Sequence, residues 1–342
     1  MAPDTTPLEN AARRPPRVFV WRVIQDCNLR CRFCSYANDV ERQRSTASAD
    51  DVARFGALLG RYQQETERPV LVSWIGGEPF LWPPLLDLSQ RFVHEFGLAV
   101  SATTNGLPLR AKAIRKRIVD DFAELVISVD GIGEANDGPR QRPGLYAQLE
   151  RDVGLLAEAR AARGKPLTLK VNTILMRHNI EQFESFCNAM LDWGIQELTF
   201  NQLGGYDRPE FFPDNRLLPE QAEAFRRALP EWQRHFAQRG LVIHGGDSYL
   251  RRFLASTRDE KIAIDDCAPG AWFWFINENG LASPCSYTSY QYAVPLAAID
   301  SVAAIDDTET RFRELRCHTR SPFCDDCHCT QLHDKFTLPS TP

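Results

Sequence analysis

Cys27, Cys31 and Cys34 fall in the octapeptide Cys-Asn-Leu-Arg-Cys-Arg-Phe-Cys, a C-x3-C-x2-C spacing with no fourth cysteine close by. A cubane 4Fe-4S cluster takes four thiolates, so a loop that supplies three holds three corners and leaves one iron open to a substrate or cofactor. Backbone N–H groups of so tight a loop can soften the charge on the sulfurs. Zinc is the alternative metal, although its sites more often show two C-x2-C pairs or a Cys/His mixture at finger spacing.

The elements that must position this loop follow from hydrophobic periodicity. Val18 to Ile24, Val70 to Ile75, Leu98 to Thr104, Leu125 to Asp130, Leu167 to Leu175 and Leu198 to Gln202 read as strands. Between them, Ala49 to Gln64 (opened by Ser48), Leu85 to Phe96, Arg110 to Asp120, Leu145 to Arg163 and Ile180 to Trp193 read as helices. Alternation of this kind predicts a parallel sheet with right-handed crossovers. The cysteine loop follows the first strand, Gly76-Gly77-Glu78-Pro79 the second, Thr103 to Gly106 the third, Ser128 to Gly131 the fourth and Asn201 to Gly205 the sixth. Active sites of parallel barrels are built on that carboxyl-end rim, so scattered motifs converge on one opening. Asn105-Gly106 and Asp130-Gly131 are also good turn formers in their own right.

The cysteine triplet with Phe33 before its last member, followed by Gly-Gly-Glu-Pro after the second strand, resembles the radical S-adenosylmethionine (SAM) enzymes. The resemblance implies an α/β fold, a partial (β/α)6 TIM-like barrel, and a 4Fe-4S cluster whose open iron binds SAM. It implies that Gly76, Gly77, Glu78 and Pro79 hold the methionine amino group, paired glycines being suited to close backbone approach, with Asn105 on the same rim. Ser128 and Asp130 match a segment lining the SAM pocket. Arg140 is expected to pair with the methionine carboxylate, because a guanidinium meets a carboxylate at two points, or else to be a solvated loop residue. Asn172, an inward polar residue in an apolar strand, needs a partner and is expected to face the ribose.

A second cysteine group resembles the auxiliary-cluster domain called Twitch, or its larger relative SPASM. Cys267, Gly280 and Cys285 fit its opening half, with Trp272 to Ile276 and Leu281 to Pro284 as a β-hairpin around Asn277-Glu278-Asn279-Gly280. Cys324 and Cys327, a C-x2-C pair after an expected helix over Thr308 to Arg316, are the implied partners. The chain has fewer cysteines here than SPASM needs for two clusters, so one auxiliary 4Fe-4S cluster is expected, with zinc as the alternative. Cys317 and Cys329 are left as alternative ligands, as hydrogen-atom donors, or as bystanders. Cys187 shares a helical stripe with Phe183, Phe186, Met190 and Leu191 and is expected in the core.

Bulk composition sets the bounds. With 342 residues, 43% hydrophobic and 25% charged, the chain has room for a large domain and a small one. The expected division is a disordered 1–16, a barrel over 17–240, the auxiliary-cluster domain over 241–336 and a disordered tail, 337–342. A net charge of -5 argues against nucleic acid and favours a cationic substrate mildly. No apolar run approaches the ~20 residues that span a bilayer, and no signal peptide precedes the clustered cysteines. A cytoplasmic, reducing compartment is expected.

The implied activity is reductive cleavage of SAM to a 5′-deoxyadenosyl radical that abstracts a hydrogen atom, with the electron from a flavodoxin- or ferredoxin-type donor. Only the residues up to Pro16 precede the first strand, leaving little room for a leader-binding domain. The expected substrate is therefore a small polar, sugar-like natural-product intermediate such as an aminoglycoside, aminocyclitol or nucleoside sugar, as in antibiotic biosynthesis. Dehydrogenation (an oxidoreductase), epimerisation and decarboxylation all fit. The alternative is maturation of a ribosomally made peptide. A non-catalytic iron-sulfur or zinc protein is the reading of another class, and iron content with a SAM-cleavage assay separates it. No acid or base is identifiable: His178, His244, His318, His328 and His333 carry no distinguishing context.

Overall fold

The computed structural model describes residues 16–34, 44–204 and 208–328. Its strands are β1 (Arg17–Ile24), β2 (Val70–Gly76), β3 (Ala99–Thr104), β4 (Glu124–Ser128), β5 (Thr168–Leu175), β6 (Glu197–Gln202), β7 (Val242–Ile243), β8 (Phe273–Ile276), β9 (Leu281–Ser283) and β10 (Val294–Pro295). Its helices are α1 (Ala49–Thr66), α2 (Leu85–His94), α3 (Lys112–Asp121), α4 (Glu134–Arg140), α5 (Leu145–Arg163), α6 (Phe183–Asp192), α7 (Phe212–Asn215), α8 (Pro219–Ala237), α9 (Asp247–Thr257), α10 (Val302–His318) and α11 (Pro322–Asp325).

All ten strands form one sheet, ordered β10-β9-β8-β1-β2-β3-β4-β5-β6-β7. From β1 to β7 every neighbouring pair is parallel, the partial barrel that βα alternation requires. Strand β5 shows why the sequence folds this way. Leu169, Val171, Thr173 and Leu175 are buried beneath the helices, and Lys170, Asn172 and Ile174 alternate with them on the half-buried inner face. Ser48 caps α1 as expected, its Oγ accepting from Asp51 N at 3.3 Å. The core is aromatic on the β1 side: Trp21, Trp74 and Trp274 are sealed, and Phe19 lies edge-on to Phe55 and Trp274 at 6.1 and 5.2 Å between ring centroids. Cys187 is fully buried in this core.

The expected hairpin exists, but it does not stand apart from the barrel. β8 and β9 pair antiparallel, Phe275 opposite Ser283, around a turn closed by Gly280 at φ 70°. β8 also pairs parallel with β1, from Val18 opposite Phe273 to Trp21 opposite Ile276. The hairpin therefore extends the barrel sheet, and its turn arrives on the rim beside the exit of β1. Beyond β6, the sequence reading had not resolved α8, β7 or α9. β7 pairs with β6, and Tyr249 and Phe253 of α9 pack on Phe200. Among the described residues no helix is long and apolar enough to cross a membrane.

Candidate active site

The three cysteines of the first loop converge. Cys31 and Cys34 are joined by a turn, Cys34 N to Cys31 O at 3.1 Å, and the Cys31 thiol feels the charge of both Cys27 and Cys34. Burial raises the Cys31 thiol to about 12, and the Cys27 thiol is raised for the same reason. Cys31 is buried and Cys27 and Cys34 are half-buried, so three thiolates gathered in one loop are unfavourable with only the Arg140 guanidinium acting on Cys31 against their charge, and iron supplies the rest. Leu29 N donates to Cys27 Sγ at 3.4 Å and Asn105 Nδ2 lies 3.6 Å from it, the kind of contact that supports a cluster's sulfur ligands. The donor set fits a cluster held at three corners.

Gly76, Gly77, Glu78 and Asn105 are brought to this loop. Gly77 N donates to Ile24 O and Glu78 N to Asp26 O, each at 2.8 Å. A Cβ on Gly76 would lie 2.6 Å from Ile24 O and one on Gly77 2.2 Å from Asp26 O, so what the paired glycines admit here is the backbone entering the cysteine loop. Glu78 is sealed. Its carboxylate accepts from Thr104 Oγ1 (2.9 Å), Asn105 N (2.8 Å) and Phe80 N (3.2 Å), and burial raises its carboxyl to about 7. Pro79 opens the short helical turn that follows. Asn105 carries the link onward, its Nδ2 donating to Asn28 Oδ1 at 2.7 Å.

Asp130 and Arg140 are brought to the same loop, but as a pair with each other. Arg140 Nη2 lies 2.6 Å from Asp130 Oδ2 with both side chains buried. Asp130 Oδ1 accepts from Ile174 N at 2.8 Å, and the Arg140 guanidinium sits 5.8 Å above the Phe33 ring. Arg32 N donates to Pro139 O at 2.8 Å, so α4 carries the far side of the cysteine loop. Arg140 is thus not the solvated loop residue that one expectation allowed. Phe33 continues into a small second core, where Met176, Leu203 and Phe211 pack with Ile174 and Phe212.

Ser128 and Asn172 lie in one cross-strand row on the inner face, in register with Thr199. Asn172 finds its partners there. Its Oδ1 accepts from Thr199 Oγ1 and from Asn201 Nδ2, each at 3.0 Å, and the Tyr249 hydroxyl reaches Asn201 Oδ1 at 3.0 Å. Towards the amino ends of the strands a charged layer closes the interior. Lys170 Nζ lies 2.9 Å from both Glu124 and Glu197, and His244 Nε2 lies 2.9 Å from Glu197. Burial opposes ionisation of Glu197, yet the bonds from His244 and Lys170 hold its carboxyl down at about 2. The sequence reading missed this layer, although polar residues at alternate positions of apolar strands were its signal.

The second cysteine group is assembled from distant segments. Ile264 N donates to Cys324 O at 2.9 Å and Cys327 N to Ile262 O at 2.8 Å, which lays the C-x2-C segment beside Cys267. Tyr292 ties down the return from α10, its hydroxyl donating to Thr319 O and accepting from Ser321 N. Cys267, Cys285, Cys324 and Cys327 all wall one cavity of about 140 Å³, many times what a single water or ion fills. Burial raises the Cys267 thiol to about 11, against the opposing charge of Arg316. Cys317 is exposed on α10 and does not line this cavity. Cys329 and His333 lie outside the described residues.

With this geometry established, comparison with known proteins decides the family. Residues 21–190 match the model of the radical SAM superfamily. The chain belongs to the radical SAM superfamily. Members of this superfamily use a 4Fe-4S cluster with SAM, and Cys27, Cys31 and Cys34 are the residues here that fit it. Together, cluster and SAM supply a 5′-deoxyadenosyl radical. The chain is 20% identical to the AdoMet-dependent heme synthase of Nitratidesulfovibrio vulgaris, over 79% of this chain and 74% of that protein. It is 24% identical to the mycofactocin maturase MftC of Mycolicibacterium smegmatis, over 91% of this chain and 75% of that protein. Streptococcus suis SuiB bound to S-adenosylmethionine shares the fold, with a TM-score of 0.65, 18% identity and coverage of 93% of this chain and 73% of SuiB. A second structure, SuiB bound to its precursor peptide SuiA, also superposes with a TM-score of 0.65, at 17% identity over 94% of this chain and 71% of SuiB.

Proposed function

We propose that this radical SAM enzyme is a maturase that modifies a ribosomally made peptide. The observation that carries this reading is the extent of the match to the mycofactocin maturase, which spans 91% of the chain. The peptide-bound SuiB structure supports it. Of the relatives named above, SuiB is bound to a precursor peptide and the others are named for mycofactocin maturation and heme synthesis, so the sugar-like substrate and the role in antibiotic biosynthesis expected from chain size give way to the peptide.

In this reading residues 17–240 form the barrel and 241–336 the auxiliary-cluster region, with β7 and α9 bridging them. Gly76, Gly77, Glu78, Pro79, Asn105, Ser128, Asp130 and Asn172 surround SAM, and Arg140 secures the wall of that site through Asp130. Cys267, Cys285, Cys324 and Cys327 hold one auxiliary cluster. A flavodoxin- or ferredoxin-type protein is the electron donor. The protein's own part is to orient the substrate across the polar row of Ser128, Asn172, Thr199 and Asn201 and to keep solvent from the radical.

The test is anaerobic turnover of reconstituted enzyme with SAM and reductant against four panels: synthetic precursor peptides, porphyrins, aminoglycosides and sugar nucleosides. The expected result is 5′-deoxyadenosine formed together with a mass change in a peptide. Coupling to a porphyrin or a sugar alone overturns the peptide reading.

A further inference from the structure

Glu278 was legible in the sequence only as part of a turn, yet its carboxylate is wholly buried and reaches the neck of the Cys27 loop. That neck is built from two segments. Ile24 bridges Thr46, Ala47 N donates to Val23 O at 2.8 Å, and Gln25 N donates to Ser45 O at 3.2 Å. Glu278 bonds to both sides. Its Oε1 accepts from Gln25 Nε2 at 2.5 Å and from Ser45 Oγ at 3.2 Å, and its Oε2 accepts from Arg22 Nε of β1 at 2.5 Å. The pairing of β8 with β1 delivers the hairpin turn to this point.

We propose that Glu278 is a positioning residue for the SAM-cluster loop, by which the auxiliary hairpin sets the shape of the loop that carries Cys27. The physical reason is the count of acceptors. Arg22 is buried and needs a charged partner, and Gln25 and Ser45 both donate inward to one oxygen. Only a carboxylate offers two acceptor oxygens and the charge at once. Gln25 stands two residues before Cys27, so the bond from its side chain fixes where the first cluster ligand leaves the strand. The inference rests on the family's cluster at Cys27, Cys31 and Cys34 and is independent of the substrate.

Two variants of the full-length holoenzyme test it. Glu278→Gln keeps the shape but one acceptor oxygen, so either Arg22 or the Gln25 and Ser45 pair is lost. Gln25→Leu removes the loop-side donor and leaves the Arg22–Glu278 ion pair and the hairpin in place. The readout is titration of the reduced protein with SAM, followed by the SAM-induced change in the EPR spectrum of the open-iron cluster, alongside thermal melting. SAM binding at least tenfold weaker in Gln25→Leu, and in Glu278→Gln where it folds, is expected. Unaltered SAM affinity and an unaltered spectral change in Gln25→Leu, or in a Glu278→Gln protein whose melting temperature alone falls, overturns the proposal. A wild-type protein with no SAM-responsive signal would instead refute the cluster assignment.

Discussion

The two cysteine groups reach convergence by opposite routes. Cys27, Cys31 and Cys34 are gathered by a local turn and then braced from three sides: by Glu78 through Asn105, by Arg140 over Phe33, and by Glu278 at the neck. Cys267, Cys285, Cys324 and Cys327 come from three separate segments and meet because residues 262–264 bond to the 324–327 segment. A local site is written in spacing and needs support to hold its shape. A long-range site is written in topology and depends on each segment folding back.

The comparison predicts unequal responses. Serine at Cys27, Cys31 or Cys34 should bring SAM cleavage to background, measured as 5′-deoxyadenosine; cleavage that survives would break the assignment of the open iron. Cys285→Ser or Cys324→Ser should cost about half of the roughly eight irons that two 4Fe-4S clusters hold, abolish product and leave uncoupled SAM cleavage measurable.

The bracing of the first loop can be removed in steps. Arg140→Met strands the buried Asp130 carboxylate and should cost about 3–5 kcal/mol in denaturant unfolding, with the loss centred on the cysteine loop. Gly77→Ala drives a methyl into Asp26 O and should cost about 1–3 kcal/mol, together with weaker SAM binding. The smallest effect is expected far from both groups. Glu197 has its carboxyl lowered from 4.5 to about 2, so its contribution to stability is complete above pH 4.5 and lost as pH falls towards 2. Glu197→Gln should flatten that acid limb of a pH–stability curve and leave iron content unchanged.

Much of this was legible in one dimension. The cysteine loop, the Gly-Gly-Glu-Pro motif, six strands with their helices and the hairpin around Gly280 are short-range patterns, and each lies where its periodicity placed it. The roles of particular side chains were harder to read. Arg140 reads in the sequence as a partner for a ligand's carboxylate, and the fold adds Asp130 against it; Glu278 looked like turn composition until β8 joined β1. Glu124, Lys170, Glu197 and His244 come from four strands or strand ends, and no local window contains more than one of them.

The sequence by itself determined the ligand spacing of the first cysteine loop and the parallel α/β scaffold, because ligand spacing and hydrophobic period are properties of neighbouring residues. Only the tertiary structure decided which buried charges pair, and that the auxiliary hairpin is continuous with the barrel sheet. Ion pairing and strand adjacency are set by how distant segments meet, and burial then makes each unpaired charge too costly to leave alone.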